Sequence, residues 1–201
     1  DFSIIHIVTY DHKEAYKLFQ VLNDRGKSLS EGDLLRAKTL ELLETHHANQ
    51  SSLEIVWDKI LKYSQKEIDN HLRWIYSSRE GKRAGRNTLF DDYFQKIYSN
   101  PQEPIDQAKS SDILKLTEDL NKEVLIARKL SIGEWPFRTR APITAWDRNR
   151  LSLLVRELGL TITIPLLLSA FYLGERKFAD IIWILERFLF RYKIMCSQHI
   201  E

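Results

Sequence analysis

Apolar residues recur along this chain at helical spacing, in stretches separated by few breaking residues. Leu53, Val56, Trp57, Ile60 and Leu61 follow the i, i+3, i+4, i+7, i+8 pattern, and Ile113, Leu116, Leu120, Val124 and Ala127 repeat it. Such a stripe is the core-facing side of an amphipathic helix. Only seven Gly and five Pro occur in 201 residues, about half the roughly 12% of average usage. A sandwich or barrel spends these residues on frequent turns, so β-rich folds are disfavoured. The breaks that remain, Gly26 to Gly32, Gly81 to Gly85, Pro101 to Pro104, Gly133 to Pro142, Gly159 to Pro165 and Gly174, delimit the helices. Ser30 with Asp33, Ser52, Thr88 with Asp91, and Thr144 with Asp147 resemble helix starts; Gly159 and Gly174 fit stops. The pattern predicts a mainly α, irregular multi-helix bundle of about eight or nine helices. The apolar run Leu158 to Leu173 reads as one buried helix, too short to span a bilayer.

Phe2 to Tyr10 stands apart, because it is β-branched and aromatic without helical phase. It reads as one amino-terminal β-strand, and Asp11 then caps a helix starting near Lys13. A strand needs neighbours for its backbone groups, and no second strand of comparable quality occurs downstream. Two placements remain open: the edge of a sheet supplied by an upstream domain, or an extended arm packed on helices or on a second copy of the chain. The division predicted is 1–10 as the orphan strand and 11–201 as a helical domain, with a sub-boundary near 81–86 or 101–110.

Charge and cysteine narrow the function classes. Thirty Lys and Arg against 28 Asp and Glu leave a net charge of +2, which removes any whole-protein argument for nucleic acid but permits a local basic face. Cys196 is the lone cysteine, so an internal disulfide or a cysteine-paired zinc site is excluded. It reads as a buried structural thiol in a reducing, cytoplasmic setting. The chain opens at Asp1 without Met or a leader, which is the expectation for a piece of a longer protein.

Ala15 to Leu43 carries the densest motif. It reads as a helix ending at Asn23, a tight basic loop over Asp24 to Leu29, and a second helix capped by Ser30, with Asp33 complementing its dipole. Asn23 and Gly26 suit a chain reversal. Backbone amides with Arg25 and Lys27 at a helix start can hold a phosphate, although an ordinary capped helical hairpin accounts for the same residues.

The order Phe19, Leu22, Asn23, Arg25, Gly26, Leu29, Ser30, Asp33, Leu34 resembles the F-x-x-L-N-x-R-G-x-x-L-S-x-x-D-L signature of the GmrSD-type restriction and phage-defence proteins. Leu185 to Ile194, including Arg191, is similar to the helix that closes that family's helical region. The resemblance implies a non-catalytic helical scaffold between an upstream ParB-like nucleotide-handling core and a downstream HNH nuclease module, with the orphan strand as the end of the core. It implies a nucleotide-proximal loop of Asn23, Arg25, Gly26, Lys27, Ser30 and Asp33. It also implies an NTP and a divalent metal for a parent NTP-dependent endonuclease, and no cofactor, metal site or turnover for this chain. The family's D-G-Q-Q-R motif and its complete HNH module are absent here; His199 and Ile200 resemble only the beginning of the latter.

Other candidate chemistry is sparse. His46 and His47 are neighbours on a helix, about 100° apart, and cannot face one metal; they read as exposed helix-end residues. His71 reads as a surface residue. No phosphate loop, serine elbow or H-E-x-x-H occurs. Two basic loops can contact DNA: Arg79 to Arg86 through Lys82, Arg83 and Arg86, and Trp135 to Arg140 through Arg138 and Arg140, with aromatics available to stack on bases. The same loops also read as a solvated loop and a hydrophobic lid. The alternative function is an all-α protein–protein interaction module, in which the apolar helices Leu158 to Leu173 and Ile181 to Leu189 supply an interface as well as a core.

Overall fold

The computed structural model describes residues 30–85, 88–102, 104–138 and 144–192. Among them are eight α-helices: α1 (Glu31–Leu42), α2 (His47–Ile60), α3 (Gln65–Glu80), α4 (Leu89–Lys96), α5 (Gln107–Ser131), α6 (Ala145–Ser152), α7 (Ile164–Phe171) and α8 (Glu175–Phe190). No strand occurs among the described residues. The expected fold class, a mainly α bundle carrying one strand, is therefore corrected: the described residues form an all-α multi-helix bundle. The periodic stripes claim every element for helix packing, and no described segment offers a strand edge to pair with. Phe2 to Tyr10, the segment read as that strand, lies outside the described residues.

Helix α5 is the spine. Its 25 residues extend over about 37 Å, and it packs on α2, α3 and α7. The inward stripe is Ile113, Leu120, Val124, Ala127 and Leu130, all buried. Leu53, Val56, Trp57 and Ile60 of α2 face it. Helix α1 lies on α2, α3 and α4, α7 bridges α3, α5 and α8, and α8 packs on α6 and α7. One hydrophobic cluster runs from Leu35 to Leu189.

Side-chain capping sets half of the helix starts. Ser30 Oγ accepts from the Asp33 amide at 3.1 Å while the Asp33 carboxylate accepts from the Ser30 amide at 3.1 Å, the reciprocal box that satisfies two orphan donors. Thr144 and Asp147 form the same box, as do Ser64 and Glu67. One expected start is corrected, and another holds in position but not in its capping bond. Helix α2 begins at His47, so Ser52 lies within it and donates back to the Ala48 carbonyl at 3.1 Å. Thr88 precedes α4 without capping it through its side chain; its hydroxyl donates to Asp92 at 3.0 Å instead.

Leu158 to Leu173 is likewise not one buried helix. A π turn at Leu153–Glu157 precedes Gly159, whose φ is +66°; a 3-10 turn spans Thr161–Thr163, and only Ile164–Phe171 is α-helical. Gly159 and Pro165 break the phase, because Pro lacks the amide a preceding turn would use. Ile162, Leu166, Tyr172 and Leu173 end up exposed.

Gly133, at the end of α5, has φ +71°, and a Cβ there would lie 2.9 Å from Ser152 Cα. Only glycine allows the α5 exit and α6 to approach this closely.

Candidate functional site

Two surfaces carry the chemistry of the described residues. The first is a groove of about 630 Å³ between α3 and α7, closed at one side by the loop after α3. Helix α3 ends at Gly81, whose φ of +67° suits the left-handed turn that only glycine enters without cost. The chain then folds back on α3, and Arg73 holds it there by donating to the Gly85 carbonyl at 2.9 Å. Lys82 and Arg83 consequently line the groove beside Trp74, Ile162 and Leu166. Its two helices are pinned together where Ser169 Oγ meets Ser78 Oγ at 2.9 Å and donates to the Ser78 carbonyl at 3.1 Å.

The second surface is the outer face of α8. Its inner face, Phe178, Ile182 and Leu189, is buried. Trp135 and Phe137 seal that face: Phe178 meets Trp135 edge-on at 5.2 Å and Phe137 at 5.3 Å, while Phe137 stacks on Phe171 at 4.6 Å. The Trp135 indole donates to Glu175 at 2.8 Å. On the far side Trp183, Ile184, Phe188, Phe190 and Tyr192 are exposed, Ile184 by 57% and Phe188 by 62%. Ile184 and Phe188 stand four residues apart, one above the other on the helix, and the Phe188 ring stacks on Tyr192 at 6.1 Å. Arg187 lies 3.8 Å over the Trp183 ring, a cation–π contact that orders both side chains. Neighbouring Trp146 of α6 is 62% exposed. Arg150 covers one side of it at 5.2 Å and donates to Glu186 of α8 at 2.6 Å.

No protein-family model matches this sequence, and no curated protein does.

The residues singled out by sequence separate accordingly. Of the loop implied to lie near a nucleotide, Asn23, Arg25, Gly26 and Lys27 fall outside the described residues. Ser30 and Asp33 use their side chains to close the start of α1. Lys82 and Arg83 line the groove and Arg138 is exposed, whereas Arg86, Arg140, Ile194 and Cys196 lie outside the described residues. The aromatics of the second basic loop are packed into the lid over α8, so its hydrophobic-lid reading accounts for them. Among the described residues no group of three or more His, Cys, Asp or Glu is placed to hold a metal. No described helix is long and apolar enough to cross a membrane.

Two of the histidines depart from expectation. His46 is half-buried, with Nε2 2.8 Å from the Ile105 carbonyl, while His47 is exposed. His71 is 2% exposed, contrary to its reading as a surface residue. The signal was in the sequence: Ile68, His71, Leu72, Ile75 and Tyr76 follow i, i+3, i+4, i+7, i+8, so His71 lies on the inward stripe of α3. Burial depresses its pKa below the ordinary 6.5, Glu67 opposing and Arg128 reinforcing the shift. His71 therefore takes up its proton at lower pH in the fold than in the unfolded chain, which protonates below about pH 6.5. Its contribution is fully present above that pH and is lost as pH falls. Urea midpoints measured from pH 8 to pH 5.5 should decline below about pH 6.5 in the wild type, and more shallowly in His71→Phe; equal slopes would remove His71 as the cause.

Arg79 and Glu123, largely buried, form a second polar group, which the exposed Tyr172 joins at its edge. Arg79 donates to Glu123 at 3.0 Å from Nε, and the Tyr172 hydroxyl donates to the same carboxylate at 3.0 Å. Partial desolvation of its hydroxyl end, followed by the charge of Glu123, pushes the Tyr172 pKa up to about 12. These contacts tie α3, α5 and the end of α7 together and leave the tyrosine a hydrogen-bond donor.

Proposed function

We propose that this chain is an all-α interaction module that binds a protein partner on the outer face of α8. The exposed Trp183, Ile184, Phe188 and Tyr192, with Arg187 among them, carry the reading. Contiguous exposed apolar surface of this kind marks an interaction site. Trp, Tyr and Arg are the residues that most often dominate binding energy, and anchors four apart are how a helix enters a partner's groove. Under the GmrSD-type resemblance the same module is the scaffold between the nucleotide core and the nuclease, and those domains, with DNA, are its neighbours.

The test uses the full chain and an Ile184→Asp/Phe188→Asp variant, each immobilised against native host extract. A discrete protein partner should be retained by the wild type and bound about a hundredfold more weakly by the variant, with the thermal midpoint unchanged because both side chains are already in water. Equal retention by both chains, or retention of nucleic acid alone, would overturn the reading. Sedimentation velocity of the wild type adds a check: a dimer lost in the variant would make the partner a second copy.

A further inference from the structure

We propose that the groove between α3 and α7 binds a small organic anion: a flat apolar body carrying a phosphate, sulfonate or carboxylate group. This site is separate from the α8 face and does not depend on how that face is used. Its volume, about 630 Å³, falls in the range of small-molecule pockets, roughly 300–1,000 Å³.

The lining sets the ligand class. Arg73, Lys82 and Arg83 line the groove and no carboxylate among the described residues does, although acids and bases are nearly balanced in the chain, 28 against 30. Such one-sided charge in a recess with apolar walls raises the local potential and draws in an anion. Arg73 is partly committed, since it bonds the Gly85 carbonyl and lies in the field of Glu31 and Asp69. It is thus a positioning residue that fixes the loop, while Lys82 presents the charge and Arg83 adds a second cation beside it. Lys82 is exposed and joins no salt bridge among the described residues.

The apolar walls set the rest. Trp74 on α3 faces Ile162 and Leu166 on the α7 side across the groove. An indole on one wall and branched aliphatic side chains on the other suit a planar group, and a charged head then lies toward the loop. The two helices cannot close over the space, because the Ser78 and Ser169 contact fixes how they cross. The recess is therefore pre-formed, and binding needs little reorganisation.

The experiment titrates 1-naphthyl phosphate into the isotope-labelled full chain and follows the indole N–H signals of its five tryptophans, with Trp74 assigned through Trp74→Phe. Saturable binding should move the Trp74 signal most. Inorganic phosphate and 1-naphthol should each bind at least about tenfold more weakly, and Lys82→Gln/Arg83→Gln should cost about tenfold or more, the weight of one charge-assisted hydrogen bond. Ile184→Asp/Phe188→Asp should leave this affinity unchanged. Phosphate binding as well as naphthyl phosphate would reduce the site to surface ion pairing. A largest shift at Trp146 or Trp183 would place the probe on the α8 face. Either result, absence of saturation, or indifference to the Lys82 and Arg83 substitutions would overturn the proposal.

Discussion

Trp57→Ala is expected to cost about 3–5 kcal/mol of folding stability, the range for truncating a fully buried aromatic. Trp57 has no exposed surface, and its indole N–H donates to the Thr39 hydroxyl at 2.9 Å. That hydroxyl itself donates to the Leu35 carbonyl at 2.8 Å, so the indole both fills space between α1 and α2 and joins a hydrogen-bond chain that links them. Two substitutions separate the contributions. Trp57→Phe keeps most of the volume and forfeits the hydrogen bond, which is worth about 1 kcal/mol. Trp57→Ala also opens a cavity that surrounding helices fill only in part. Denaturant midpoints of the two variants check the ordering: comparable losses would mean that the hydrogen bond, rather than packing, dominates.

The second large effect is expected at Phe178→Ala, again about 3–5 kcal/mol, equivalent to a fall in thermal midpoint of roughly 10 °C for a chain of this length. Phe178 is fully buried and meets Trp135 and Phe137 edge-to-face. These contacts add to simple area burial, by about 0.5–1.5 kcal/mol per pair. The lid contacts α8 near its first turn, where Trp135 is also tied to Glu175. Removing Phe178 should therefore loosen α8 as a unit and weaken partner binding as well as lower stability. Ile184→Asp/Phe188→Asp should weaken binding alone. Melting curves and partner affinity measured on both variants distinguish them; an unshifted midpoint for Phe178→Ala would show that the lid does not hold α8.

Helix existence was legible in the sequence wherever one face was continuously apolar. Leu53 to Ile60 and Ile113 to Ala127 became the contact between α2 and α5 because their stripes are long and unbroken. The Ser30 and Thr144 capping boxes were legible for a local reason: both partners lie within three residues. The Leu158 to Leu173 run misled because hydrophobicity without phase does not distinguish a helix from a π turn, a glycine break and a short helix in series. His71 misled through its polarity, although its position on the α3 stripe indicated burial. The two surfaces were only partly visible. Lys82 and Arg83 stood out as cations, but nothing local indicates that α7, some eighty residues later, supplies the opposite wall. Similarly, Ile181 to Leu189 was evident as an apolar helix, while the division into a buried side at Ile182 and Leu189 and an exposed side at Ile184 and Phe188 depends on how α6 and α7 are placed.

The π turn at Leu153–Glu157 accommodates one residue more than regular α winding would. Each residue advances a helix by about 100°, so the extra one sets the rotational phase of α6 relative to α7 and α8. Removing a single residue there would turn everything upstream by that angle, carrying Arg150 away from Glu186 and Trp146 away from the α8 face. The composite surface of α6 and α8 thus depends on a count of residues in the turn that follows α6.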